Sequence, residues 1–436
     1  MKEEKTLIEM ISEGEMPAGL EVACSKEPIS VSDVAREITE GSAVFPLNKI
    51  RSIEKPCVIG KGLRTKVNAN IGTSLARTDL NLELSKLEAA IDAGADTVMD
   101  LSTGGDLRLI RRRIIEKSSV PVGTVPIYEA AIVAQEKHGS IVAMTEDEMF
   151  EAIEGHAEDG VDFVTVHCGV TMKALEALEK TGRIADIVSR GGAFLAGWIL
   201  YNQRENPLYE NFDRLLDIAR RYELVLSLGD GFRPGAVADA TDSAQIAELV
   251  TIGTLVKRAR DASVQVMVEG PGHIPLDQVE ENIKIAKEIC RGAPFYVLGP
   301  IVTDVAPGYD HIVGSIGGAL AALSGADFLC YVTPREHLGL PDVEDVREGV
   351  IVTRIAAHAG DVAKNPSFFR KWDDNMSKAR KALLWEEQMR LALDERKARS
   401  ILESCGIMED SSCSMCGEYC AMKFIASYLK TEKGRC

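Results

Sequence analysis

Residues 224–231 read Leu-Val-Leu-Ser-Leu-Gly-Asp-Gly, and residues 264–273 read Val-Gln-Val-Met-Val-Glu-Gly-Pro-Gly-His. Each is an apolar run too short for a helix, and each ends in glycine turn signals that carry a carboxylate or an imidazole. A longer amphipathic stretch lies between them, and the same unit recurs from Lys66 to about Pro334. The runs are KVNANIG (66–72), TVMDLST (97–103), VPVGTVPIY (120–128), FVTVHCG (163–169), DIVSRGG (186–192), the two above, FYVLGP (295–300) and FLCYVTP (328–334). Alternation of this kind predicts repeated βα units and a parallel sheet. Asn70, Asp100, Tyr128, His167, Arg190, Asp230, Glu269 and His273 all fall at or just after the carboxyl end of a run. Polar residues at so many strand ends predict a closed (β/α)8 barrel of TIM type, whose active site gathers all eight ends, over a doubly wound sheet that uses two or three. Nine runs are one too many for that barrel, so one is peripheral or not a strand.

Outward from the barrel, residues 1–65 mix short helical patterns with turn signals and read as a small N-terminal domain, with Ser32 as a helix N-cap. Residues 66–375 make the catalytic barrel domain. Residues 376–436 read as a C-terminal helical arm, because 376–403 contains strong helix formers and neither Pro nor Gly, and a cysteine cluster follows.

The 436 residues include 50 Lys and Arg against 67 Asp and Glu, a net charge of −17. That balance argues against nucleic acid and against an anionic membrane surface as partners, while leaving room for arginines to hold a small anion locally. The first residues show no signal-like apolar run and the chain has no membrane-length apolar stretch, so a cytoplasmic setting is expected. In such a setting the ten cysteines are metal ligands, catalytic groups or buried small hydrophobes.

Three constellations carry chemistry. Cys413, Cys416 and Cys420 lie within eight residues and can wrap one metal centre. A structural zinc knuckle completed by Cys405 or Cys436 and a three-cysteine [4Fe–4S] cluster with one open iron both fit that spacing. Glu269 with His273, and Glu336 with His337, could frame an open divalent-metal site, or the histidines could be polar core residues. Ser189-Arg190-Gly191 and Asp230-Gly231-Phe232-Arg233 suit an anion, since arginine offers a planar fork and glycine lets the backbone approach; surface ion pairs are the plainer reading. A Walker run and a strand-linked GxGxxG are both missing, which removes the usual signatures of nucleotide hydrolysis and dinucleotide redox chemistry.

The runs KVNANIGTS, DTVMDLSTGGD, VPVGTVPIY, SRGGAF, SLGDG, EGPGHIP, APFYVLGPIVTDVAPGYDH, CYVTPREHLGLP and CSMCG resemble the phosphomethylpyrimidine synthase family, noncanonical radical S-adenosylmethionine enzymes of thiamine biosynthesis. The resemblance runs nearly without gaps from Lys61 to Lys423. It implies a homodimer of (β/α)8 barrels, a cluster-bearing arm that reaches over the partner's active site, 5-aminoimidazole ribotide as substrate, and an electron donor such as flavodoxin or ferredoxin. By motif it implies substrate contacts from Asn70, Met99, Tyr128, His167, Ser189, Arg190, Gly191, Asp230, Gly231, Phe232, Arg233, Glu269 and Tyr296. It further implies zinc on His273 and His337, a [4Fe–4S] cluster on Cys413, Cys416 and Cys420, and a catalytic part for Glu269 beside that cluster.

Some positions depart from the shorter members of that family. Phe45-Pro-Leu-Asn48-Lys-Ile-Arg51 stands where they read IPxNxNH, Phe232 replaces Leu, Ala236 replaces Cys, Tyr201 replaces the His of a His-Asn pair, and Ser243 replaces Arg. Because several of these fall on loops expected to face the substrate, the sequence predicts the paralogous product, 5-hydroxybenzimidazole for the cobamide (vitamin B12) lower ligand. Phe232 beside Arg233 would reposition the ribose radical. The alternative is the pyrimidine phosphate of thiamine, and a zinc-stabilised binding protein is the reading from outside enzymology.

Overall fold

A computed structural model describes residues 5–405 and 415–429. Two-residue strands β1 (Ala43–Val44) and β2 (Ile59–Gly60) pair antiparallel. Eight further strands form the barrel: β3 (Lys66–Ile71), β4 (Thr97–Asp100), β5 (Val122–Thr124), β6 (Phe163–Val166), β7 (Val225–Leu228), β8 (Val266–Gly270), β9 (Phe295–Leu298) and β10 (Phe328–Cys330). They are parallel in chain order, and β10 closes on β3 through Phe328 opposite Lys66 and Cys330 opposite Asn68. The expected (β/α)8 barrel is therefore present. Its strands are buried almost throughout because one face packs the barrel interior and the other packs the helical layer. Inside, Tyr296 stacks on Phe328 with ring centroids 4.2 Å apart, and Phe163 meets Phe328 edge-on at 6.4 Å. Gly123 makes the room for this, since a Cβ there would stand 2.2 Å from the Phe163 ring.

The surplus run is DIVSRGG. Strands β6 and β7 pair directly, Phe163 opposite Val225, and leave no place for a strand between them. Ser189 instead caps the helix Arg190–Asn202, its Oγ accepting from the Gly192 N–H at 3.2 Å. Ser followed by a helix-length apolar pattern is an N-cap signal, and two consecutive glycines suit a close-packed helix start better than a strand. A smaller correction concerns Ser32: the cap of helix Val31–Thr39 is Ser30, which accepts from Asp33 N–H at 3.2 Å.

The leading segment has its own apolar cluster around Leu20, Val34, Ile38, Phe45 and Val58, yet it belongs to the same compact unit as the barrel, Met1–Gly360. Polar side chains tie it to the amino-terminal ends of the strands. Asn48 donates to the carbonyls of Ala157 (2.8 Å) and Val161 (2.9 Å), Phe45 N–H donates to Gln265 (2.7 Å), and fully buried Lys66 pairs with Glu27 at 2.9 Å. The second unit is Asp361–Cys436. Its helical stretch is divided into Pro366–Ala382, Trp385–Leu391 and Glu395–Ser404, the first break falling at Leu383, which takes a left-handed φ of 56°. Among the described residues no helix is long and apolar enough to cross a membrane.

Candidate active site at the carboxyl ends of the strands

Six of the eight polar strand ends, Asn70, Tyr128, His167, Arg190, Asp230 and Glu269, line one cavity of about 550 Å³, whereas Asp100 and His273 do not. Of the residues expected at a substrate, Asn70, Met99, Tyr128, His167, Arg190, Asp230, Arg233, Glu269 and Tyr296 line it. Ser189, Gly191, Gly231 and Phe232 do not. Ser189 is buried behind the wall, with its Oγ 3.2 Å from His167 Nε2. Gly191 and Gly231 are spacers: a Cβ on Gly191 would meet the His167 ring, and one on Gly231 would stand 2.2 Å from Val170. Phe232 is fully buried in the hydrophobic core.

One side of the cavity is cationic. The Arg190 guanidinium lies over the Tyr128 ring, 4.9 Å from its centroid, and Tyr128 meets Phe194 edge-on at 6.2 Å. Arg233 donates to Asp230 Oδ1 at 3.0 Å. Burial pushes the Asp230 carboxyl up to about 7, with Arg233 opposing and Glu269 adding to the shift. Burial, reinforced by the Arg233 charge, holds His167 down to about 3, so its imidazole is neutral at physiological pH. Glu269 ends β8 and is fixed by two hydroxyls, Thr165 at 2.6 Å and Ser227 at 2.7 Å, both donating to Oε1. Its burial raises the carboxyl above the ordinary range.

Sequence reasoning missed several parts of this wall. Lys86, on helix Leu80–Ala93, is fully buried against Glu83 at 2.8 Å and reaches the cavity from outside the barrel sheet. Cys330 also lines the cavity, with Asn70 Nδ2 at 3.1 Å from its Sγ. Thr165 and Ser227 look like ordinary strand residues, and only their inward direction at alternate positions could have identified them.

His273 and His337 come together, ring centroids 5.1 Å apart. Each turns Nδ1 to a carboxylate, His273 to Asp304 at 2.7 Å and His337 to Asp310 at 2.9 Å. Carboxylates placed in this way orient metal-binding imidazoles and leave Nε2 for the ion. Among the described residues, no group of three or more His, Cys, Asp or Glu side chains is gathered to hold an ion. Of the three clustered cysteines, Cys413 lies outside the described residues. Cys416 precedes the turn Gly417–Tyr419, and Cys420 stands at the N-cap of helix Ala421–Tyr428.

A closed parallel barrel with a charged cavity at its strand carboxyl ends defines a TIM-type enzyme. The chain belongs to the radical SAM ThiC family, whose sequence profile matches residues 6–427. It is 57% identical over 431 residues to the phosphomethylpyrimidine synthase of Moorella thermoacetica, covering 99% of this chain and all of the relative. The enzymes of that name from Desulforudis audaxviator (58% over 424 residues) and Desulforamulus reducens (56% over 423) each align with 97% of this chain and 98% of their own length. The protein is thus an enzyme of lyase type, and its family implies a [4Fe–4S] cluster and S-adenosylmethionine.

The relatives are named for the pyrimidine product and not for the expected benzimidazole, and the positions that prompted that expectation do not face the cavity. Asn48 serves the opposite end of the barrel. Tyr201 is exposed, Asn202 donates to the carbonyls of Val142 and Trp198, and Ser243 meets Thr181 at a helix start. Together with Phe232 and Ala236, these residues lie off the cavity wall. Adjacency to Arg233 in sequence said nothing about the direction of the Phe232 side chain.

Proposed function

We propose that this enzyme converts 5-aminoimidazole ribotide into 4-amino-5-hydroxymethyl-2-methylpyrimidine phosphate, the pyrimidine precursor of thiamine. What carries this reading is that nine side chains expected at that substrate face one cavity in a chain so similar over its whole length to phosphomethylpyrimidine synthases. The phosphate would lie against Arg190 and Arg233, whose charges reside on the same side as neutral His167. Glu269, anchored through Oε1, keeps Oε2 for the aminoimidazole. Tyr128 and Tyr296 supply apolar walls that exclude water around a reactive fragment.

The cluster and S-adenosylmethionine supply, when bound, the one-electron chemistry that generates a carbon radical; Cys413, Cys416 and Cys420 would hold the cluster. His273 and His337 would hold a zinc ion. A homodimer and an external electron donor, such as flavodoxin or ferredoxin, belong to the same reading.

Anaerobic turnover of 5-aminoimidazole ribotide with S-adenosylmethionine and a reductant, followed by mass spectrometry, tests it. A phosphorylated aminopyrimidine is expected. 5-Hydroxybenzimidazole as the product would overturn the proposal.

A further inference from the structure

Beside the loop that carries Asp230 and Arg233, and sharing these two residues and Glu269 with the main cavity, lies a chamber of about 20 Å³. Its wall includes Asp230, Arg233, Glu248, Glu269 and Asn282, and its volume suffices for a single water. Glu248 sits on helix Ser243–Asp261 and is almost completely buried. Its Oε2 accepts the Phe232 N–H at 2.8 Å, while the Phe232 carbonyl accepts from Arg183 at 2.6 Å. Arg183 is in turn clamped on both oxygens of Asp242, at 2.6 and 2.7 Å. The peptide group between Gly231 and Phe232, and the Phe232 carbonyl, are therefore held from both sides. Asp230 and Arg233 flank that anchored residue.

Two buried carboxyl oxygens near this chamber have no hydrogen-bond partner, Glu248 Oε1 and Asp230 Oδ2. A buried carboxylate pair in such surroundings keeps a proton rather than ionising twice. Burial, together with the Asp230 charge, pushes Glu248 up to about 8 against the opposing hydrogen bond from the Phe232 N–H and the weaker pull of the Gly231 backbone and Arg183. The remaining charged groups on the chamber wall are Arg233 and Glu269.

We propose that Glu248 is a positioning residue that sets Asp230 and Arg233 through the backbone of Phe232 and shares one proton with Asp230 across the chamber, through one bridging water. The shared proton keeps Asp230 from neutralising Arg233, and so reserves that guanidinium for the substrate phosphate. This last step rests on the proposed substrate; the anchoring and the shared proton do not.

The test uses full-length, anaerobically reconstituted enzyme with Glu248→Gln and Glu248→Ala. Glutamine can still accept the Phe232 N–H, but it cannot hold the shared proton, and its amide donors favour ionised Asp230. Alanine leaves a buried N–H unpaired. The wild-type-minus-E248Q infrared difference spectrum should contain a protonated-carboxyl C=O band at neutral pH. Binding of 5-aminoimidazole ribotide should weaken by about tenfold or more in E248A. It should stay within about threefold of wild type in E248Q at pH 6, with the pH at which binding falls off moved lower. Binding within twofold of wild type at every pH in both variants, or a difference spectrum without that band, overturns the proposal. If E248A does not fold, E248Q decides on the band and the pH profile. If wild-type enzyme does not bind the ribotide, the substrate assignment fails, and the infrared band still judges Glu248.

Discussion

Gly191 is packed directly against the imidazole of His167: a Cβ on Gly191 would stand 2.2 Å from His167 Cε1 and 2.5 Å from Nδ1. The start of helix Arg190–Asn202 thereby fixes the ring that faces the anion side of the cavity. Gly192 is as tightly constrained, its own Cβ position lying 2.3 Å from the Gly231 carbonyl oxygen. The loops carrying Arg190 and Arg233 are thus in backbone contact, and the spacing of their guanidiniums depends on two residues without side chains.

Gly191→Ala should therefore overpack the site. We expect a loss of about 1–3 kcal/mol in urea unfolding and markedly weaker ribotide binding by calorimetry. Gly155→Ala is the matched control, in helix Glu146–Glu158 with nothing within 4 Å of its would-be Cβ. It should gain roughly 0.5–1 kcal/mol from helix propensity. Equal effects at both glycines would refute the packing account.

Stability should depend on His167 in acid. Its pKa falls from 6.5 to about 3 on folding, so between those values the unfolded chain binds a proton that the folded chain refuses. The stability is fully present above pH 6.5 and is lost as pH falls toward 3, at up to about 1.4 kcal/mol per pH unit for one proton. His167→Gln should flatten that acid limb in denaturant titrations between pH 6.5 and 4. A limb as steep as that of wild type would show that His167 is not the group that titrates.

Phe232→Leu restores the residue usual in shorter family members at a position buried in the core. The variant should lose on the order of 1–2 kcal/mol from the smaller side chain, and its product, read by mass spectrometry, should not change. A new product would mean that Phe232 reaches the reacting carbons after all.

Eight barrel strands were legible because parallel strands buried on both faces read as apolar runs ending in polar residues, and Asp230 and Glu269 mark two such ends plainly. The DIVSRGG run was indistinguishable from them by composition. Its Ser189 behaves as a cap only because β6 and β7 already pair. Glu248, Arg183, Asp304 and Asp310 were illegible for a different reason. Each acts on a partner brought near by the fold from another loop, Glu248 on Phe232 and Asp304 on His273, and no local spacing announces that. The direction of a side chain in an irregular loop is likewise set by tertiary packing, which is why Phe232 was misjudged while its neighbour Arg233 was not.

Asp304 gives the sharpest test of the histidine pair, because it can be altered without touching either imidazole that would bind metal. Its Oδ1 faces His273 Nδ1 at 2.7 Å, and Oδ2 accepts the Val237 N–H at 2.9 Å, so the carboxylate is held at both oxygens. An asparagine side chain at this position could still accept one hydrogen bond, but it would lack the charge that orients the ring and fixes its tautomer. Asp304→Asn should lower zinc affinity by about 10–100-fold, measured by competition with a chromogenic chelator, with far-UV circular dichroism unchanged. His273→Ala should reduce binding further, since a ligand itself is gone. If Asp304→Asn binds zinc as tightly as wild type while His273→Ala does not, the carboxylate serves the Val237 loop alone. If both variants bind like wild type, His273 and His337 are packing residues and the metal assignment is wrong.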